Sequence, residues 1–139
     1  LHTNDVHSRL EPFPMDGGRN QGLGGVAARA ELIQKIRSEE QQVLLLDAGD
    51  IFQGTPYFNL YKGEPEMKAM AAMGYDAATM GNHDFDAGLE NFATQLQHGK
   101  FPLIICNYEL FLRITLNKSS KSSTMYSRYS TIFCLKLFY

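Results

Sequence analysis

The chain has 139 residues, a length that is typical of one domain. Its formal net charge of −2 and its pI of about 6.1 do not fit the basic surface that duplex nucleic acid requires. No apolar stretch reaches the roughly 18 residues that a membrane-spanning helix needs, so the sequence predicts no membrane span.

The charge balance changes near residue 109. Residues 1–109 carry 8 Lys or Arg against 15 Asp or Glu, whereas residues 110–139 carry 5 basic residues, no acidic residue and no glycine. We therefore predict that residues 1–109 are part of one domain and that residues 110–139 are an unrelated tail. The tail is polar and low in complexity over 118–124, which predicts disorder, and apolar over 131–139, which could form a strand. A truncated or frame-shifted reading frame explains it, with a natural variant tail as the alternative.

Predicted elements begin at the first residue. Residues 1–3 look like the end of a strand, so we expect a cut N-terminus from which a targeting signal could have been lost. Residues 4–25 are polar and rich in Gly and Pro, which predicts a long loop of the kind that carries function. Apolar residues at helical spacing predict an amphipathic helix over 25–38. The short apolar run 43–46 predicts a strand that is covered on both faces.

Strands and helices continue to alternate after this run. A helix is predicted over 64–73, with Pro65 in its first turn and Gly74 at its end. A short strand over 76–80, a helix over 88–98 and a strand over 101–106 follow. This alternation predicts βαβ units with a mostly parallel sheet, so the fold class is α/β. Cys106 and Cys134 could form a disulfide, but two cysteines say little about the compartment.

Polar residues with metal-ligand chemistry follow the first two predicted strands. Asp5 and His7 are one residue apart, which in an extended segment puts both side chains on the same side. A carboxylate and an imidazole suit Zn, Mn or Fe, and a surface loop pair is the alternative. Asp50 lies at the carboxyl end of a strand, where it could bridge two cations, with a helix N-cap as the alternative. Asp47 falls inside the strand and suits a supporting role better than a ligand role.

Residues 81–86, GNHDFD, form the most specific cluster. Asn82 offers a neutral carbonyl oxygen as a metal ligand, and His83 can donate a proton or a hydrogen bond to a phosphate. Asp86 could orient the imidazole of His83 and keep it protonated. Asp84 is a weaker candidate for that partner. A turn that merely contains a histidine is the alternative.

Taken together, the three clusters resemble the calcineurin-like metallophosphoesterases, and within them the secreted or periplasmic 5′-nucleotidases. The resemblance covers residue 1 to about residue 108 and includes the phrases LHTNDVH, LDAGD, GTPY, MGYD and GNHDFD. It implies a partial metallophosphoesterase fold with a metal site at the carboxyl ends of parallel strands. It also implies a hydrolase that acts on nucleoside 5′-monophosphates, with 2′,3′-cyclic nucleotide phosphodiesterase and UDP-sugar hydrolase activities as alternatives.

Metal ligands follow from the resemblance position by position. Asp5 and His7 would bind the first of two divalent metal ions, Asp50 would bridge both ions, and Asn82 would bind the second. Zn, Mn and Fe all remain candidates for these ions. In such enzymes a water or hydroxide on the metals attacks the phosphate in line, while the metals clamp the phosphoryl oxygens.

The resemblance further implies that His83 and Asp86 form the catalytic dyad, in which His83 stabilises developing charge or helps the leaving group to depart. The later histidine segments of such enzymes and their C-terminal nucleotide-binding domain are missing from this sequence. His2 and His98 are interpreted as structural. A catalytically inactive metal-binding remnant is therefore a further alternative. The resemblance suggests a periplasmic or extracellular location.

Overall fold

The structure, a computed structural model, describes residues 1–104. The predictions for the tail, for the strand over 131–139 and for the two cysteines lie outside the described residues. The described elements are β1 (His2–Thr3), α1 (Val26–Glu39), β2 (Leu46–Asp47), α2 (Pro56–Tyr61), α3 (Glu64–Met73), β3 (Ala77–Ala78), a 3-10 turn (His83–Phe85) and α4 (Leu89–Leu96). No helix in this part of the chain is long and apolar enough to cross a membrane.

The strands form one parallel sheet in the order β1-β2-β3. Leu46 of β2 pairs with His2 on one side and with Ala77 on the other. A parallel bridge between Ala78 and Leu103 extends the pairing beyond β3, where a strand over 101–106 was predicted. Because parallel strands all point the same way, the loops that follow them meet at one edge of the sheet. The predicted α/β class and parallel sheet are confirmed.

Helix α3 has the boundaries that its sequence predicts. Pro65 occupies the first turn, where its missing N–H removes no helical hydrogen bond. Gly74 ends the helix in a left-handed conformation, and its N–H donates to the carbonyls near the last turn. One face of α3 carries apolar side chains three residues apart that are buried in the core: Met67, Met70 and Met73.

Phe52 lies at the centre of the core and is 0 % exposed. Its ring stacks on Phe58 of α2 at a centroid distance of 5.5 Å and meets Phe92 of α4 edge-on at 6.1 Å. Complete burial of a side chain of this size stabilises the fold by about 1.5–3 kcal/mol. The loop after β2 is therefore anchored to two helices, which fixes the polar residues that precede Phe52.

The strand predicted over 43–46 differs from the observed β2 in its position and in the burial of its two faces. Paired residues begin only at Leu46, and Leu44 is 60 % exposed. Leu45 points into the core, and the alternation of an extended chain turns Leu44 to the opposite side. The prediction of a strand that is covered on both faces was therefore wrong for this end of the run.

Helix α2 was not predicted. Its sequence, PYFNLY, is apolar or aromatic around most of its circumference, so it shows no amphipathic stripe. Phe58 is its buried residue, whereas Leu60 is 72 % exposed. The signal that was available is Pro56 at the first helical position, after Thr55 in an extended conformation.

Candidate metal centre

Asp5 and His7 lie in the loop that follows β1. The prediction of an extended segment was wrong, because φ is 51° at Asp5 and 44° at His7, in the left-handed region. Tertiary hydrogen bonds impose this curl: the N–H of Asp5 donates to Gly49 O (3.0 Å) and that of His7 to Asp50 O (3.1 Å). The two side chains still converge, with 3.7 Å between Asp5 Oδ1 and His7 Nε2.

Asp50 brings a second carboxylate to the same point from the loop after β2. One ligand atom each from Asp5, His7 and Asp50 lie within 4.8 Å of one another. Two carboxylates and an imidazole suit a divalent metal ion such as Zn, Mn or Fe. The chemistry and the spacing of this donor set therefore fit a metal ion. Asp5, His7 and Asp50 are called the metal group below.

Glycines allow the loops after β2 and β3 to touch. A Cβ atom on Gly49 would lie 2.5 Å from the nitrogen of Gly81, and one on Gly81 would lie 2.0 Å from Asp50 Oδ1. Gly49 also has a φ of 98°, which disfavours other residues. Close contact between the two loops therefore explains why glycine, and no larger residue, precedes Asp50 and Asn82.

His83 stands beside the metal group, at the start of the 3-10 turn that follows β3. Its N–H donates to Asp50 Oδ1 (2.9 Å), and its ring centroid is 5.2 Å from that of His7. Nδ1 of His83 lies 2.7 Å from Asp86 Oδ2. This hydrogen bond is the main cause that raises the pKa of His83, which favours the protonated imidazole.

The buried Asp47 supports the loop that carries Asp50. The Thr3 hydroxyl donates to Asp47 Oδ2 (2.5 Å), and the N–H of Gly49 donates to Oδ1 (2.9 Å). Because the one hydroxyl proton of Thr3 is used, the Tyr75 hydroxyl donates to Thr3 Oγ1 (2.8 Å). Burial raises the pKa of Asp47, and its hydrogen bonds oppose that rise.

Asp84 is a buried residue whose position no local pattern indicated. It is 1 % exposed, and its carboxylate accepts hydrogen bonds from four backbone N–H groups of the two loops. Burial raises the pKa of Asp84, whereas the four hydrogen bonds lower it. The His83 ring is hydrogen-bonded by Asp86, whereas the Asp84 carboxylate is engaged by the main chain.

Comparison with known proteins gives the family. The profile of the calcineurin-like phosphoesterases matches residues 1–137. The chain belongs to this family. The resemblance predicted from the three clusters is thereby confirmed.

Relatives of this calcineurin-like phosphoesterase chain are 5′-nucleotidases. Snake venom 5′-nucleotidase of Gloydius brevicauda is 47 % identical over 111 residues, which is 77 % of this chain and 19 % of that protein. The 5′-nucleotidase of Bos taurus is 42 % identical over 137 residues, which is 95 % of this chain and 23 % of that protein. The crystal structure of a 5′-nucleotidase precursor from Thermus thermophilus superposes with a TM-score of 0.69 at 40 % identity, over 76 % of this chain and 21 % of its own. The chain thus spans about a fifth of the length of these relatives.

The remaining predicted residues of this phosphoesterase chain lie before the 3-10 turn, in β1 and after α4. Asn82 directly precedes the 3-10 turn and is exposed. His2 is exposed within β1, and His98 follows α4. The roles of the candidate ligands and of the dyad stay predictions, as does the division of the chain at residue 109.

Proposed function

We propose that this chain carries the first half of the active site of a metal-dependent phosphate-ester hydrolase of the 5′-nucleotidase type. The observation that carries the proposal is the convergence of Asp5, His7 and Asp50 within 4.8 Å, with the His83 ring 5.2 Å from that of His7. Membership of the calcineurin-like phosphoesterases and identity to 5′-nucleotidases support the reaction class.

The proposed roles follow from the chemistry of the side chains. The metal group and Asn82 would hold two divalent ions, which would polarise phosphoryl oxygens and lower the pKa of a water molecule. His83 would meet the substrate through Nε2, because its Nδ1 is engaged by Asp86. Its raised pKa keeps the ring protonated over a wider pH range, which suits donation to a phosphoryl oxygen or to the leaving group.

The proposed substrate is a nucleoside 5′-monophosphate. The relatives with this activity in their names are about five times as long as this chain. We propose that a further part of the parent protein binds the nucleoside. A venom relative and a relative described as a precursor support a location outside the cytoplasm for that parent protein. Fractionation of the source cells, with detection of the parent in the external fraction, tests the location.

A second candidate function is metal binding without hydrolysis. All four histidines of the sequence lie in the described part of the chain, and His2 and His98 are not in the metal group. Within residues 1–104, a second ion would therefore have only Asp50 and Asn82 as proposed protein ligands. This shortage of donors is the observation that favours the second candidate.

Chromatography of the products formed by the purified 139-residue chain separates the two candidates, because AMP yields adenosine and phosphate, the cyclic ester yields an adenosine monophosphate, and UDP-glucose yields UMP and glucose 1-phosphate. AMP, 2′,3′-cyclic AMP and UDP-glucose are each assayed with Mn²⁺ or Zn²⁺, in the wild type and in the His83→Ala variant. Hydrolysis of AMP that is lost in His83→Ala, while metal binding is retained, supports the proposed function. The matched control is His98→Ala, which removes an imidazole outside the site and leaves the rate unchanged.

Each other outcome has a defined meaning. Metal binding without hydrolysis of any ester supports the second candidate. Preference for one of the other two esters corrects the substrate. Hydrolysis that survives His83→Ala rejects the proposed role of His83, and hydrolysis that survives Asp50→Asn rejects the metal group.

A further inference from the structure

We infer that Asp84 is a positioning residue, which fixes the Asp50 carboxylate toward the metal group without binding the metal itself. The inference rests on the proposed function, because it assigns a part to Asp84 in the same site. It is drawn from the hydrogen bonds of a buried carboxylate that joins the loop after β2 to the loop after β3.

The carboxylate of Asp84 is fully engaged by main-chain donors. Oδ1 accepts from the N–H groups of Ile51 (2.8 Å) and Phe52 (3.0 Å). Oδ2 accepts from those of Gly81 (2.8 Å) and Asp50 (3.1 Å). An ionised carboxylate has about four acceptor sites, so four such bonds leave no direction for a metal ion or a substrate. Asp84 is therefore excluded as a ligand by its own contacts.

Three of these donors are consecutive in the chain. Asp50 has a φ of 54°, and this left-handed residue turns its own N–H and the next two N–H groups toward one side. Such a concave set of N–H groups binds anions. Here the anion is a side chain of the same protein. Because Ile51 and Phe52 are buried, loss of the Asp84 carboxylate would leave their N–H groups without a partner and the strained turn without support.

The link between the two loops is reciprocal. Asp84 Oδ2 accepts from the N–H of Asp50, and Asp50 Oδ1 accepts from the N–H of His83 (2.9 Å). The backbone of Asp50 and one of its two carboxylate oxygens are thus both fixed by the loop after β3. This leaves Oδ2 as the Asp50 oxygen that is available to a metal ion. The orientation of a proposed metal ligand therefore depends on Asp84.

Asp84→Asn tests this dependence with little change of shape. The amide keeps one acceptor oxygen but places an NH₂ group against two N–H donors, so two of the four hydrogen bonds are lost. Two quantities are measured on the 139-residue chain: the affinity for Mn²⁺ by calorimetry, and hydrogen exchange of the metal-free chain by NMR. We expect affinity to fall by about 10–100-fold, the usual effect of removing a group that orients a ligand. Exchange at Ile51 and Phe52 should speed up by at least about tenfold, and exchange within α3 should not.

The matched control is Asp76→Asn. Asp76 Oδ2 also accepts a backbone N–H, that of Leu45 (2.8 Å), but this bond lies at the amino end of β3. It should leave the affinity for Mn²⁺ within about twofold of the wild type. A folded Asp84→Asn chain with an equally unchanged affinity overturns the inference.

If Asp84→Asn does not fold, NMR measurements on the wild type test the inference instead. In the metal-free wild type, the N–H groups of Ile51 and Phe52 should be strongly protected and should show scalar coupling to the Asp84 carboxyl carbon. Exchange at the rate of exposed amides would overturn the inference. Neither measurement uses a phosphate ester, so the two failures are distinct. If the wild type hydrolyses no ester but Asp84→Asn shows the expected fall in Mn²⁺ affinity, only the proposed function is rejected. If the wild type hydrolyses AMP but Asp84→Asn binds Mn²⁺ as tightly as the wild type, only the role of Asp84 is rejected.

Discussion

The imidazole rings of His7 and His83 lie edge to face, with their centroids 5.2 Å apart and their planes at 69°. One ring belongs to the metal group, and the other is hydrogen-bonded to Asp86. In the proposed site, neighbouring side chains of the same type would thus have two different functions: one would hold a cation and the other would donate a proton. The carboxylate that each ring contacts is what distinguishes them.

Asp86→Asn should lower the pKa of His83. The hydrogen bond to Asp86 is the largest cause of the raised pKa, with smaller contributions from the charges of Asp50 and Asp84. NMR titration of the His83 ring in the metal-free chain measures the change.

The same variant has a predictable effect on stability. A histidine whose folded pKa is raised stabilises the fold below its unfolded pKa, and this contribution is lost as the pH rises through the folded value. Asp86→Asn should therefore weaken the fold at acidic pH more than at alkaline pH. Asp16→Asn, in the exposed loop, is the control. An unchanged His83 titration in Asp86→Asn would contradict the assignment of the hydrogen bond.

Gly49→Ala should destabilise the chain by more than about 3 kcal/mol. The substitution adds left-handed strain, of order 1–3 kcal/mol, to a clash with the backbone of Gly81. Gly17→Ala is the control, because Gly17 has a similar φ of 81° but nothing within 4 Å of the added atom. It should cost only about 1–2 kcal/mol. Urea denaturation measures both, and equal losses would argue against close contact of the two loops.

Thr3→Val should destabilise the chain by about 1–3 kcal/mol, because it leaves a buried oxygen of Asp47 and the Tyr75 hydroxyl without a partner. Tyr75→Phe, which removes one bond and keeps the Asp47 contact, should cost less. The two effects should not add, since both act through the Thr3 hydroxyl. Additive losses in the double variant would show that the three groups do not form one network.

The cost of Thr3→Val should also depend on pH. Burial holds the folded pKa of Asp47 above its unfolded value, so ionisation of Asp47 opposes folding as the pH rises through the folded pKa. Loss of the Thr3 hydrogen bond raises this pKa further. The difference in unfolding free energy between wild type and variant should therefore grow as the pH rises through the folded pKa of Asp47 in the wild type, and it should stop growing above the higher folded pKa of Asp47 in the variant. A difference that is constant with pH would mean that Asp47 does not titrate in this range.

Phe92→Ala should cost about 3–5 kcal/mol. Phe92 is 1 % exposed and contacts the rings of Phe52 and Phe85, the second of which lies in the 3-10 turn with His83. Leu89→Ala on the same helix is the control, because Leu89 is largely exposed and should change stability by less than about 1 kcal/mol. Thermal or urea unfolding measures both. A small effect of Phe92→Ala would show that α4 does not hold the turn in place.

Sequence reasoning succeeded where local start and stop residues determine the ends of a helix. Pro65 and Gly74 bound α3 because proline suits a first turn and glycine a left-handed end, and both effects are local. It failed at α2, whose sequence has no helical periodicity of apolar residues. Burial of Phe58 against Phe52 stabilises the helix there. The reason lies in tertiary packing, which overrides weak local preference.

The candidate site shows the same division. Residue types and their order after the strands indicated which side chains meet, but not how the chain curls to bring them together. Asp5 and His7 are left-handed because their N–H groups bond to a loop that is distant in sequence. The burial of Asp84 likewise depends on N–H groups 32 to 34 positions away, which no local pattern contains.

The hydrogen bonds that join the three loops span 32 to 47 positions of the chain. Contacts of this range form only after long segments have been closed, and the entropy of closure must be lost before any of them is gained. No short peptide cut from one cluster would therefore contain the metal group. We expect the group to assemble in the same cooperative transition as the parallel sheet, so that uptake of a cation during refolding would follow the time course of the whole fold.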